Sequence, residues 1–151
     1  LALAAAGLVL GSAAALRFSL GSGAGLDLAP SMHWPAPMVD HDPEPDRGPV
    51  MVTVEYRIDP ADAAAFAAAM AEMGRSRRRS GALSWGVFED AAAQGRYLEY
   101  FILQSWLEHL RQHERVSRTD QTLQERVRAF HRGAEPPRVS HLLAPAVGAG
   151  S

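Results

Sequence analysis

The sequence of 151 residues contains no cysteine, no lysine and no asparagine. Without cysteine, a disulfide framework, a thiolate nucleophile and a thiolate metal site are all excluded. All fifteen basic residues are arginine, and the formal net charge of −2 gives no electrostatic case for binding nucleic acid. A glycine-rich phosphate loop, a Ser-His-Asp spacing and a paired-carboxylate site are also missing, so the corresponding enzyme classes are not indicated.

Residues 1–16 form an uncharged run, LALAAAGLVLGSAAAL, which ends at Arg17. Three interpretations compete: the end of a transmembrane helix, the core of a signal peptide, and a buried helix of a soluble domain. A spanning helix needs about 20 apolar residues, no basic leader precedes the run, and the next thirty residues offer no domain to bury it. We therefore favour a truncated transmembrane helix over residues 1–18. Because the first residue is Leu, we expect the chain to be processed or part of a longer protein.

The segment after this run is predicted to be a linker. It contains a flexible break, GSGAG, and then five prolines interspersed with acidic residues. Proline lacks an amide donor and restricts φ, so residues 19–47 are predicted to be extended. A soluble domain is predicted over residues 48–144, and residues 145–151 are expected to form a disordered tail.

The soluble domain is predicted to contain four strands and three helices in the order β-α-β-β-α-(α)-β. Its strands are recognised by apolar alternation and β-branched or aromatic residues, and its helices by apolar residues at helical spacing and by their caps. This order is the ferredoxin-like split β-α-β pattern with one extra helix, an α+β fold with helices on one face of an antiparallel sheet. The predicted strands cover residues 50–57, 82–90, 97–103 and 138–144, and the predicted helices 59–79, 105–115 and 119–131.

In residues 96–115 a strand continues directly into a helix. Ser105 and Glu108 form the Ser-x-x-Glu pattern of a capping box. A helix at the edge of a core presents an apolar stripe inward and polar residues to water. The predicted inward stripe comprises Trp106, Leu107 and Leu110, and the predicted wet side Glu108, Arg111 and Gln112.

The strand of residues 97–103 is apolar on both faces. Helices cover only one face of such a sheet, so the other must be covered by another sheet, another subunit or a bound ligand. A common solution in this fold is a homodimer with two sheets face to face, and we expect a homodimer through the open sheet face. One face carries Tyr97, Phe101 and Leu103, and the other Leu98, Tyr100 and Ile102.

The sequence resembles two known protein families. The soluble part resembles the antibiotic biosynthesis monooxygenase-like domains, which form dimeric α+β barrels, through GALSW at 81–85, the aromatic strand at 97–103 and SWxxHL at 105–110. The whole chain resembles the C-terminal end of major facilitator superfamily transporters of the transmembrane secretion effector type, relatives of the enterobactin exporter. This second resemblance is carried by DLAPSMHWP at 27–35, GPVMVTVEY at 48–56, SWLEHLRQHER at 105–115 and RAFH at 128–131.

The transporter resemblance implies that residues 1–18 are the last membrane helix of a polytopic permease in the bacterial inner (plasma) membrane, with the soluble domain in the cytoplasm. We therefore expect the C-terminal fragment of a permease for small-molecule efflux or secretion. Its soluble domain is expected to serve dimerisation, regulation or ligand sensing. The implied partners are the membrane, the rest of the permease and a second copy of the chain, and neither a cofactor nor a metal is expected.

The monooxygenase resemblance implies an alternative, the cofactor-independent oxidation of a small aromatic molecule. The candidate pocket residues are Trp106, His109, Trp85 and Tyr100. An asparagine partner expected from some members of that family is absent, because the chain has no asparagine. Since aromatic side chains normally dominate cores, we interpret these aromatic residues primarily as core.

His109 and His113 lie four residues apart, so one face of a helix carries both, as in half of a zincin-like ligand pair. The zincin motif requires Glu directly after the first His, whereas this chain has Leu110, and the sequence shows no third ligand. We therefore interpret the pair as surface or dimer-edge imidazoles beside Glu108 and Glu114.

Four arginines, at positions 75, 77, 78 and 79, end the first predicted helix. They fit a solvated helix terminus whose cations complement the macrodipole. They equally fit a contact with phosphate or anionic lipid beside a membrane helix. The sequence leaves both interpretations open.

Overall fold

A computed structural model describes residues 43–145, which form a ferredoxin-like α+β domain. The predicted fold class is confirmed, including the extra helix. The predicted membrane helix, most of the linker and all but the first residue of the tail lie outside the described residues. Among the helices of residues 43–145, none has the length and apolar character needed to cross a membrane.

The elements are strands β1 (Val50–Arg57), β2 (Ser84–Glu89), β3 (Arg96–Leu103) and β4 (Arg138–Leu143), a 3₁₀ turn (Pro60–Asp62), and helices α1 (Ala63–Arg79), α2 (Trp106–Arg115) and α3 (Arg118–Arg128).

The four strands form one antiparallel sheet in the order β2-β3-β1-β4. In the central strand β1, every second side chain from Val50 to Tyr56 is buried, which confirms the predicted alternation. Val54 and Tyr56 pack against α1 and α3, where Phe66, Met70 and Val127 are fully buried. Val50 and Val52 pack instead with Phe101 and Leu103 of β3 and Trp106 of α2. Helices therefore cover one face of the sheet, and burial of large apolar side chains there is the main stabilising contribution.

The other face of the sheet stays apolar and exposed. Phe88 is 62% exposed, Leu142 52% and Leu98 42%, and the Tyr100 and Phe88 rings stack with centroids 5.9 Å apart. The described elements therefore leave a broad hydrophobic surface, which is unusual for a soluble monomer. We call this surface the open face, and it comprises Met51, Phe88, Leu98, Tyr100, Ile102 and Leu142.

Helix α2 begins at the predicted cap, but its contacts differ from the predicted capping box. The Ser105 hydroxyl accepts a hydrogen bond from the Glu108 amide at 3.3 Å, whereas the Glu108 carboxylate accepts from Arg115 Nη2 at 2.7 Å. A complete capping box forms instead at the start of α3, where Ser117 and Asp120 bond each other's backbone amides. Arginines one turn or more along α2 therefore compete successfully for the Glu108 carboxylate.

Residues before β1 also cap helix α2. The Trp106 amide donates to the Arg47 carbonyl at 2.8 Å, and the Leu107 amide donates to the Pro45 carbonyl at 2.8 Å. The first amides of a helix have no partner within the helix, so these carbonyls satisfy them. The end of the predicted linker thus contacts the domain, and a chain that begins at Pro43 retains these bonds.

Helix α2 faces the core with a side different from the predicted one. Its buried residues are Trp106, His109 and Gln112, whereas Leu107 and Leu110 are 37% and 39% exposed. Because the helix follows β3 after two residues, its rotation is set by insertion of the Trp106 indole among the side chains of β1 and β3. Residues three and six positions later then lie on the same side. The predicted stripe was wrong because two of the three buried positions hold the polar residues His109 and Gln112, and a search for apolar residues at helical spacing does not detect them.

Candidate functional site

A buried carboxylate lies in the middle of β3. Glu99 is 0% exposed. Its carboxylate accepts hydrogen bonds from Arg77 Nε at 3.0 Å, from Trp85 Nε1 at 3.1 Å and from the Tyr56 hydroxyl at 3.1 Å. The three donors belong to α1, β2 and β1, so a single side chain joins four elements. A buried charge is tolerated only when it is paired and hydrogen-bonded in this way.

Arg77 fits neither of the roles predicted for the four arginines at the end of the first helix, which were a solvated helix terminus and a contact with phosphate or anionic lipid. It is 6% exposed, and its guanidinium lies 4.2 Å from the centroid of the Phe101 ring. Burial alone would lower the pKa of Arg77, but the Glu99 charge outweighs burial and raises that pKa above its ordinary value. Arg77 is therefore a charged group inside the domain, because the last turn of α1 lies over the sheet and directs this side chain inward. Arg79, by contrast, is exposed and pairs with Asp120 at 3.4 Å.

Three histidines meet next to this ion pair. His109 and His113 come from α2 and His141 from β4, and one ring nitrogen of each lies within 4.8 Å of the others. The Nε2 atoms of His109 and His113 are 3.1 Å apart, and the ring centroids of His109 and His141 are 4.7 Å apart. Antiparallel pairing of β4 with β1 places His141 opposite Val52, on the helix-covered face. The tertiary structure thus supplies the third imidazole that the sequence did not reveal.

A small cavity lies between these imidazoles and the sheet. Its volume is about 10 Å³, close to the minimum that holds one water molecule. Two side chains that line it carry buried nitrogens with no hydrogen-bond partner in the described part of the chain, His109 Nδ1 and Gln112 Nε2. The cavity therefore combines apolar walls with several ring and amide nitrogens, and it is too small for an organic substrate. The lining comprises the three histidines with Val52, Arg77, Phe101, Gln112 and Val116.

The surroundings keep the three imidazoles neutral at pH 7. Burial, together with the nearby His113, His141 and Arg77 side chains, lowers the pKa of His109 to about 3. Burial is also the main cause that lowers the pKa of His113 and of His141 below the ordinary value. Each neutral ring has one nitrogen that carries a lone pair, which is the atom that accepts a hydrogen bond or binds a metal ion.

The structure brings together only part of the predicted aromatic pocket. Trp106 lies beside His109, with ring centroids 5.1 Å apart. Trp85 also lies on the helix-covered face, where its indole N–H is used by Glu99. Tyr100 lies on the open face, where its hydroxyl is 3.3 Å from Ser84 Oγ. Alternation along β3 therefore directs Tyr100 away from the other three residues.

We expect removal of one member of the buried ion pair to destabilise the domain strongly. Glu99→Gln leaves the Arg77 charge buried without its counter-ion, which costs about 3–5 kcal/mol of unfolding free energy. A second substitution, Arg77→Met, should restore most of the loss because it removes that charge. Urea denaturation of a chain beginning at Pro43 measures both effects.

The matched control for this prediction is the exposed ion pair of Glu72 with Arg126. Glu72→Gln should change the unfolding free energy by less than about 1 kcal/mol, as is usual for surface pairs. The prediction is contradicted if Glu99→Gln costs no more than Glu72→Gln.

We also expect the domain to lose stability between pH 7.5 and pH 5. The pKa of His109 is about 3 in the folded state and about 6.5 when unfolded, so the unfolded state binds more protons in this window. Stability is then complete above about pH 6.5 and falls as the pH drops. The slope from His109 is up to about 1.4 kcal/mol per pH unit, and solvent screening makes the contributions of His113 and His141 smaller.

Urea denaturation at several pH values, with a metal chelator present, tests this dependence above the range in which carboxylates titrate. His109→Gln should flatten the slope, since it removes the group with the lowest pKa. A free energy of unfolding that stays constant from pH 7.5 to pH 5 would show that these imidazoles are protonated as easily in the folded state as in the unfolded one.

Comparison with solved structures supports the fold. A candidate antibiotic biosynthesis monooxygenase from Caulobacter crescentus matches with a TM-score of 0.57 and 17% identity over 67% of this chain and 93% of its own. Another, from Bordetella bronchiseptica, matches with a TM-score of 0.54 and 22% identity over 64% of this chain and 96% of its own. A protein from Mycobacterium tuberculosis matches with a TM-score of 0.53 and 22% identity over 68% of this chain and 100% of its own. At these identities the likeness concerns the fold alone.

Comparison at the level of sequence extends beyond the described domain. No curated protein matches the chain. A family model described as transmembrane secretion effector matches residues 1–147, and this match includes the uncharged run, the linker and the ferredoxin-like domain. Since it covers nearly the whole chain, the protein belongs to the transmembrane secretion effector family.

Proposed function

We propose that this chain is the C-terminal part of a bacterial exporter of the major facilitator type, which moves small molecules across the inner membrane. The observation that carries the proposal is the continuous family match over residues 1–147. In this proposal, residues 1–18 are the end of the last membrane helix, in keeping with an uncharged run of sixteen residues. The domain of residues 48–144 is then a cytoplasmic accessory domain, connected to the transport core by the linker of residues 19–47.

The accessory domain is proposed to pair with a second copy through the open face. Phe88, Leu98 and Leu142 are all more than 40% exposed there. Each side chain of this size contributes roughly 1.5–3 kcal/mol when it is fully buried. Several such residues from each partner are sufficient to offset the entropic cost of docking. Pairing of this kind would also hold two exporter copies side by side at the membrane.

A second candidate function is cofactor-independent oxidation of a small aromatic molecule. It is supported by Trp106 beside His109 on the helix-covered face, in a fold shared with candidate monooxygenases. Three observations favour the exporter role over it: the cavity holds about one water molecule, Tyr100 faces the opposite side of the sheet, and the chain has no asparagine.

Membrane attachment tests the exporter proposal. The 151-residue chain should partition into detergent or lipid vesicles, because its uncharged run is apolar over most of the length of a spanning helix. A chain beginning at Pro43 lacks this run and should stay in the aqueous phase. Detergent phase separation followed by gel analysis measures both. Full-length protein that remains monodisperse in detergent-free buffer would count against the proposal.

Sedimentation velocity tests the proposed dimer. At tens of micromolar, a chain beginning at Pro43 should sediment as a dimer. Ile102→Glu and Leu142→Glu place a charge on the open face and should give folded monomers, because burial of an unpaired charge is costly. Leu110→Glu is the matched control, since Leu110 is 39% exposed on α2 rather than on the open face. A folded monomer without substitution, or a monomer produced equally by Leu110→Glu, would refute pairing through this face.

A further inference from the structure

The spacing of the three histidine rings matches the coordination shell of one metal ion. Zinc binds imidazole nitrogen at about 2.0–2.1 Å, so two such nitrogens on a tetrahedral ion lie about 3.3 Å apart. The Nε2 atoms of His109 and His113 are 3.1 Å apart, and one ring nitrogen from each of the three histidines lies within 4.8 Å of the other two. Small rotations of the rings bring all three nitrogens to the same ion.

A hydrogen bond between two rings does not account for the whole arrangement. It explains the short distance between His109 and His113 but not the approach of His141 from a different element. It also leaves Gln112 Nε2 buried without a hydrogen-bond partner among the described residues, although buried polar atoms in folded proteins are nearly always satisfied. An ion with a bound water would place an acceptor within the cavity that Gln112 lines.

The size and charge of the cavity restrict the ligand. A volume of about 10 Å³ suits a single ion or water and excludes an organic molecule. Arg77 also lines the cavity, but its charge is balanced by Glu99 at 3.0 Å. A cation therefore does not meet an uncompensated positive charge.

The donor set restricts the type of metal. The cavity lining offers imidazole nitrogens and no carboxylate or thiolate. Calcium and magnesium prefer oxygen ligands, whereas imidazole suits zinc, copper, nickel and iron. Three protein ligands leave the fourth position of a tetrahedral ion open, as in catalytic rather than structural zinc sites.

We propose that His109, His113 and His141 form a binding site for one divalent first-row transition-metal ion, with zinc(II) as a suitable occupant. The helix supplies two ligands through their four-residue spacing, and β4 supplies the third through its pairing with β1. The site is independent of the open face and of the exporter role.

Zinc titration of the 151-residue chain in detergent micelles tests the site. After removal of metal with a chelator, the chain should bind one zinc(II) in competition with a chromophoric chelator. His113→Ala and His141→Ala should each weaken binding by at least about 10–100-fold, the loss already seen when groups outside the first coordination shell are removed. These two histidines are half-buried, so circular dichroism should show that both variants fold.

Histidines outside the cluster serve as controls. His131→Ala, and His33→Ala combined with His41→Ala, should leave zinc affinity unchanged. Absence of zinc binding at a 1:1 ratio, or an affinity that survives both His113→Ala and His141→Ala, would overturn the proposal. If a variant does not fold, X-ray absorption of the zinc-loaded unsubstituted chain decides: three imidazole ligands support the site, and fewer than three refute it.

Discussion

The buried carboxylate of Glu99 is the constraint on which the arrangement of this domain depends. A buried charge loses several kcal/mol of hydration free energy. Hydrogen-bond donors and a counter-ion around the carboxylate compensate for this loss. Arg77, Trp85 and Tyr56 provide these groups, each from a different element. The last turn of α1 is thereby held against the sheet, and the distance between the helix layer and β3 is defined at that point.

The histidine cavity is a consequence of the same arrangement. Arg77 contacts Glu99 on one side and lines the cavity on the other, so the ion pair forms one wall of the cavity. Helix α2 forms the opposite wall with polar rather than apolar side chains, because insertion of Trp106 into the core turns His109 and Gln112 inward. Burial of polar residues in a helix that has leucines available for the core is costly, and proteins usually accept such a cost at functional sites.

The fold of this domain also occurs in proteins described as candidate monooxygenases. Its architecture is that of candidate monooxygenases, yet the chain belongs to a family of transmembrane secretion effectors. A shared fold does not transfer an activity, since function depends on the chemistry of individual sites. In this chain the cavity beside the three histidines has about the volume of one water molecule or ion, and a broad apolar surface lies on the opposite face of the sheet.

The sequence by itself determined the fold class and the orientation of the strands. Alternation along β1 predicted which of its side chains are buried. Such patterns are readable because a strand alternates faces with a period of two residues regardless of its neighbours. The cap at Ser105 was likewise predictable from local chemistry.

The tertiary structure alone decided the composition of the candidate site. His141 is separated from His109 by 32 positions in the sequence, and only the register of β4 on β1 brings the two rings together. The rotation of α2 was set by the packing of the Trp106 indole rather than by the pattern of the leucines in this helix. Arg77 is buried because it forms an ion pair with Glu99, which lies on another element. Register, helix rotation and charge pairing all depend on contacts between distant segments, which local periodicity does not encode.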